Sequence, residues 1–195
     1  MAERQPTEER RRQIADAALR IIAENGLRRF TAAELGRVVG IADGTIFRHF
    51  RNKQEIVAAA VERMGEILFA DRPPENDDPL ERLGLFFLQR VEMLQAHPYV
   101  AQMMFSNQLS LAAGSNAAAE VRRLQERSRS FVRDCLEEAG ARGLLQRDLP
   151  VDDLLLLVLG ALQSLVLLSR EGMLEGSPVV RAQRIWTTLE HIMRR

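Results

Sequence analysis

The sequence predicts an all-α protein with an N-terminal three-helix helix-turn-helix domain and a larger C-terminal helical domain, about nine helices in all. Three observations predict it. Apolar residues recur at three- and four-residue spacing along most of the chain, and the strict alternation of a half-buried strand is absent. Helix start and stop residues bracket each periodic run. Charge is split as well. Net charge is +0, but residues 1–53 carry eleven basic and seven acidic side chains, a net of +4 that residues 54–195 cancel.

Helix 1 is expected from about Glu8 to Glu24, with Thr7 as N-cap and the acids Glu8 and Glu9 at the positive end of the dipole. Ile14, Ala18, Ile21 and Ile22 form its apolar stripe, and Asn25-Gly26 stops it. Helix 2 opens on a capping box, Thr31 with Glu34, and closes at Gly40. A short helix follows over Asp43–His49, broken by Arg51-Asn52. Asn52 and Glu55 make a second capping box for helix 4, about residues 53–70, which connects a domain of residues 1–53 to one of residues 54–195.

Asp71–Pro79 has three prolines and four acids in nine residues, so no helix passes through it. Further helices are expected at about 80–96, 99–110, 117–139, 151–171 and 178–195, the last with Pro178 in its first turn.

Several function classes are excluded early. A single cysteine, Cys135, rules out an intrachain disulfide, and the scattered His49, His97 and His191 offer no metal site. No phosphate-cradling glycine loop or nucleophile elbow is present, so neither an enzyme nor a cofactor is expected. The N-terminus MAERQPTEERRRQ has no apolar core, which makes a cytoplasmic location the expectation. Leu154–Ser169 is uncharged but only sixteen residues long and holds Gln163 and Ser164, so no membrane span is expected.

Thr31–Phe50 is the informative segment. Gly36 lies inside helix 2, where glycine costs about 1 kcal/mol against alanine, and close approach of a second helix would explain it. Ile46 and Phe50 are spaced to pack back on Leu35 and Val39, which is helix-turn-helix geometry. Asp43, Gly44, Thr45, Arg48 and His49 then face outward. Gly44 lets a backbone come close, Thr45 can donate to a phosphate, and the helix N-terminus attracts one. Arg48, His49, Arg51 and Lys53 add positive charge, while Arg4 and Arg10–Arg12 are either a solvated face or flanking phosphate contacts.

Thr31–Val57, TAAELGRVVGIADGTIFRHFRNKQEIV, resembles the helix-turn-helix of the TetR/AcrR transcriptional regulators. Gly40, Ile41, Gly44, Thr45, Ile46, Phe47, His49, Phe50, Asn52 and Lys53 carry the likeness, and Ile14, Ala17 and Ala18 of helix 1 fit it. Two positions depart from the family. Ala42 stands where a serine-like cap is usual, and Phe47 where tyrosine is frequent, so a phenol able to reach phosphate is missing. Phe47 either touches a thymine methyl or simply packs. The resemblance implies a DNA-facing set of Thr31, Ala42, Asp43, Gly44, Thr45, Phe47, Arg48, His49 and Lys53.

It also implies a C-terminal domain that senses a ligand and dimerises. Leu154–Leu168 is apolar nearly all round, as a helix buried on both faces would be. Leu155, Leu159, Leu162 and Val166 with Ile185, Trp186 and Leu189 are the candidate dimer contacts in a C2 four-helix arrangement. Met64, Phe86, Phe87, Met93, Met103, Met104, Phe105 and Phe131 are candidate pocket residues, several of them in the uncharged stretch Met93–Ala119. Arg90 can meet an anionic ligand or a structural carboxylate, and Gln163 a ligand or a neighbouring helix. The expected function is a homodimeric repressor released from a palindromic double-stranded DNA operator by a small apolar or amphipathic effector. The alternative is an architectural or cell-division factor on the same fold, without an effector.

Overall fold

The computed structural model describes residues 4–27, 29–105 and 115–195, without the side chains of residues 4–6 and 115. Nine helices appear among the described residues: α1 Arg4–Asn25, α2 Ala32–Val39, α3 Asp43–His49, α4 Lys53–Leu68, α5 Pro79–Ala96, α6 Pro98–Phe105, α7 Ser115–Ala141, α8 Val151–Arg170 and α9 Pro178–Met193. The all-α expectation holds. The only β pairing among the described residues is an isolated bridge between Leu145 and Arg194. The helix expected over 99–110 is present to Phe105, and its remainder lies outside the described residues.

Local chemistry explains the boundaries. Thr31 in extended conformation accepts from the Glu34 N–H, and Asn52 from the Glu55 N–H. Neither box closes in the expected way. The Glu34 carboxylate accepts from Asn25 Nδ2 at 2.9 Å, and Glu55 accepts from the Arg51 N–H at 2.8 Å. Helix 1 departs further. It begins before Thr7, which is therefore an interior residue and not a cap. Gly40 ends α2 at φ 74°, a left-handed conformation that glycine takes without Cβ strain.

The chain forms two compact units, residues 1–70 with 102–124 and residues 71–101 with 125–195. The division falls within α6 and α7. Residues 54–70, expected in the second domain, belong to the first because α4 packs along α1. Ile14, Ala18, Ile22, Ile56, Ala60 and Met64 are all buried there, and Arg63 reaches Asp16 at 2.7 Å.

The core of the second unit is built by α5, α7, α8 and α9 around Phe87, Leu136, Val158, Leu162 and Trp186. Asp78 caps α5, accepting from the N–H groups of Leu80 and Glu81, and pairs with Arg194 at 2.8 Å. The chain end is tied down as well: the Gln146 N–H donates to the Met193 carbonyl and the Arg195 N–H to that of Leu144.

Candidate nucleic-acid interface

The helix-turn-helix is assembled from one face of α3. Ile46 and Phe50 are buried with Leu35, which is the packing that their four-residue spacing predicts. Val38, on the next face of α2, is exposed. Gly36 has a specific reason to lack a side chain. A Cβ there would lie 2.7 Å from the Ile41 carbonyl oxygen and 3.3 Å from the Asp43 nitrogen. The turn and the first residue of α3 press directly on the α2 backbone.

The opposite face of α3 is open. Asp43, Gly44, Phe47 and Arg48 are exposed, and Thr45 and His49 are half-buried. A Cβ on Gly44 would meet nothing within 4 Å, so no contact inside the chain asks for glycine there. Phe47 is 50% exposed, so the reading that it packs in the core is excluded.

Three sequence-based assignments change on this geometry. The start of α3 was expected to attract a phosphate. Asp43 already occupies it, with a carboxylate oxygen 2.8 Å from the Gly44 N–H, and its negative charge offsets the dipole. Ala42 is the N-cap residue and offers no side-chain bond. Lys53 was expected to face DNA. Its ammonium instead donates to the carbonyls of Phe30 at 2.6 Å and Leu27 at 3.3 Å, and lies 5.3 Å from the centre of the Phe30 ring. It pins the loop between α1 and α2. Arg11, grouped with a basic N-terminal run, folds onto α3: it donates to the His49 carbonyl, pairs with Glu55 at 3.3 Å and stacks over the Phe50 ring. No local pattern announces that contact, because its partners lie 38 and 44 residues away. Arg4 was grouped with it, and its side chain lies outside the described residues.

The family model for bacterial regulatory proteins of the tetR family matches residues 14–60, the span of α1 to α4 that builds this reading head. The reading head is a TetR-family DNA-binding domain. The transcriptional repressor KstR2 of Mycobacterium tuberculosis is 26% identical over 146 residues, covering 73% of this chain and 72% of that protein. The solved structure of ketosteroid transcriptional regulator KstR2 of the same organism superposes with a TM-score of 0.80 at 22% identity, covering 95% of each chain. FadR of Bacillus subtilis, solved in complex with stearoyl-CoA, superposes with a TM-score of 0.72 at 21% identity, covering 92% of this chain and 97% of that one. With this reading head, the chain is a DNA-binding transcriptional regulator.

The other candidate residues lie as follows. In the second unit Phe86 and Phe87 are buried, Met93 and Phe131 are half-buried, and Phe86 stacks on Phe131 at 4.6 Å. Arg90 is only 8% exposed, with its guanidinium 4.8 Å from the centre of the Phe86 ring. Burial, and then the nearby charge of Arg127, lower its pKa to about 10. Met64 and Met103 are buried and Met104 and Phe105 half-buried, but these four belong to the first unit, so the ten candidates are not one cluster within a unit. Gln163 is exposed on the outer face of α8 and not turned into the core.

Most of the expected dimer contacts face the chain's own core. Leu155, Leu162, Val166, Trp186 and Leu189 are buried within the chain, and Leu159 and Ile185 are half-buried. Trp186 packs 5.6 Å from Phe87 and directly over Gly84. The apolar residues left exposed on α8 are Leu156, at 64%, and Leu157, at 52%, one turn from Gly160 and two from Gln163 and Ser164. Near-continuous hydrophobicity predicts two buried faces, but does not say which one serves the chain itself.

Proposed function

We propose that this chain is a cytoplasmic homodimeric repressor whose two α3 helices enter successive major grooves of a palindromic operator. The observation that carries the reading is the exposed ridge of α3. Gly44, Phe47 and Arg48 point away from a face locked by Ile46 and Phe50. A glycine without an internal reason, beside an exposed phenyl ring and a guanidinium, suits a surface that closes on a duplex. Thr45 donates to a phosphate, Arg48 reads a base edge or a phosphate, and Phe47 meets a thymine methyl.

The second copy covers the outer face of α8 with that of α9. Leu156 and Leu157 are large apolar side chains exposed side by side, and Val180 and Ile192 are exposed on α9. Helix α8 is long and apolar enough to cross a membrane by composition, yet a third of it lies buried against the chain's own core. A helical partner suits the remaining face. Leu156→Glu should then give monomers in sedimentation experiments.

The effector is apolar or amphipathic. The uncharged stretch Met93–Ala119 supports this, as do the ketosteroid and stearoyl-CoA named for two proteins of the same fold. It binds in the second unit, the body, and favours a dimer in which the reading heads no longer match the half-sites, so effector and DNA weaken each other by the same factor.

The test is selection of a duplex from a randomised library with the full-length protein, followed by titration of variants. Thr45→Val should weaken binding to all sequences with little change in the salt dependence, because a neutral hydroxyl releases no counterion. Phe47→Ala should leave the salt dependence unchanged and relax preference at one or two base pairs. If no duplex is enriched, the DNA-reading assignment of α3 fails. If fatty acyl-CoA and steroid panels leave the selected complex intact, the effector assignment fails.

A further inference from the structure

The two ends of α3 are held differently. Its start rests on the α2 backbone at Gly36, while its last turn is held from α1. The helix has seven residues, so propensity alone gives it little independent rigidity. Whatever fixes its far end therefore fixes the angle at which the exposed ridge is presented.

We infer that Arg11 is the positioning residue of the reading helix, a strut that sets the orientation of α3 for sequence recognition without itself contacting DNA. This rests on the assignment of α3 as the DNA reader. Three contacts define the strut. The guanidinium donates to the His49 carbonyl, one of the terminal carbonyls that no residue of α3 can satisfy. It lies 4.3 Å above the centre of the Phe50 ring, whose other surroundings are core. It pairs with Glu55 at 3.3 Å, and the other Glu55 oxygen accepts from the Arg51 N–H at 2.8 Å. One planar cation thus joins α1 to the last turn of α3, to the residue that ends it and to the first turn of α4. A flexible ammonium would keep the charge but not the fork and the stacking.

A strut, a phosphate contact and a mere stability element differ in what they change. The experiment uses the full-length protein, a duplex selected from a randomised library and a scrambled duplex of the same length. Arg11→Ala should weaken binding to the selected duplex about tenfold or more, leave the scrambled duplex nearly unchanged, and keep the slope of affinity against salt. Arg11→Lys should recover little of the loss. Glu55→Gln should shift binding the same way by a smaller factor, and it keeps the inference testable if Arg11→Ala does not fold. A slope reduced by about one, with recovery in Arg11→Lys, would make Arg11 a phosphate contact and overturn the strut. Unchanged discrimination between the duplexes, with only a lower melting temperature, would also overturn it. Failure of the wild-type protein to enrich any duplex is a separate result, and it removes the reading on which the strut rests.

Discussion

Gly36 and Gly84 are both helix-interior glycines under pressure, one in the reading head and one in the body. What presses on them differs. Over Gly36 lie the Ile41 carbonyl and the Asp43 nitrogen, both peptide atoms. Over Gly84 lies the indole of Trp186, with its Cε2 2.6 Å from where a Cβ would be. The head is defined by backbone against backbone, which has no rotamer to spare. The body is defined by side chains filling a volume, which other side chains of similar size can fill too. This suits their tasks, since a recognition helix must be held at one angle to read a groove.

The largest effect should come from Gly36→Ala. Alanine gains about 1 kcal/mol of helix propensity, yet the new methyl meets peptide atoms that cannot rotate away. A net loss of roughly 3 kcal/mol is expected from overpacking of this kind, read by chemical denaturation, together with loss of binding to the selected duplex. A variant as stable as the parent would break the distinction between head and body at its root.

Gly84→Ala should cost less, about 2 kcal/mol, and it should be reparable. Trp186→Phe removes the indole nitrogen side of the ring and opens room for the methyl. The double variant should therefore be more stable than the sum of the singles predicts, a coupling readable by a double-mutant cycle. No single side-chain change should rescue Gly36→Ala in the same way. If Trp186→Phe gives no rescue, the pressure on Gly84 is not side-chain volume, and the two glycines become alike.

The same contrast explains how much could be read from the sequence. The head was legible because its rules are local: a cap at Thr31, a left-handed Gly40, and Ile46 and Phe50 four residues apart. Its misreadings were long-range. The sequence alone turns Lys53 toward DNA and leaves Arg11 between solvent and flanking phosphate, but the partners of both are carbonyls brought near only by the fold. In the body, helix boundaries came within a few residues of those found because Asp71–Pro79, Pro150 and Pro178 punctuate the chain. The facing of α8 and α9 was not legible. A stripe of leucines around a whole helix carries no mark of which side meets its own core, so Trp186 and Leu162 were assigned outward although the fold buries them.

The smallest expected effect concerns acid, and it compares one carboxylate from each region. In the body, hydrogen bonding from Arg194 holds the Asp78 carboxyl below its usual range, helped by the Leu80 and Glu81 N–H groups and opposed by burial. In the head, the Arg51 N–H is the main cause that lowers Glu55. Both pKa values are depressed in the folded chain. Each carboxylate thus contributes stability that is complete above the ordinary value near 4, and lost as pH falls through the lower folded value. Asp78→Asn keeps a competent cap but loses the ion pair, which should cost about half a kcal/mol at neutral pH. That deficit should shrink as pH drops below about 4, because the parent then loses the same charge. Denaturation curves of parent and variant across that range should converge, and Glu55→Gln should converge with the parent in the same direction. Parallel curves for Asp78→Asn would mean that the ion pair between the α5 cap and the chain end contributes nothing to the stability of the body.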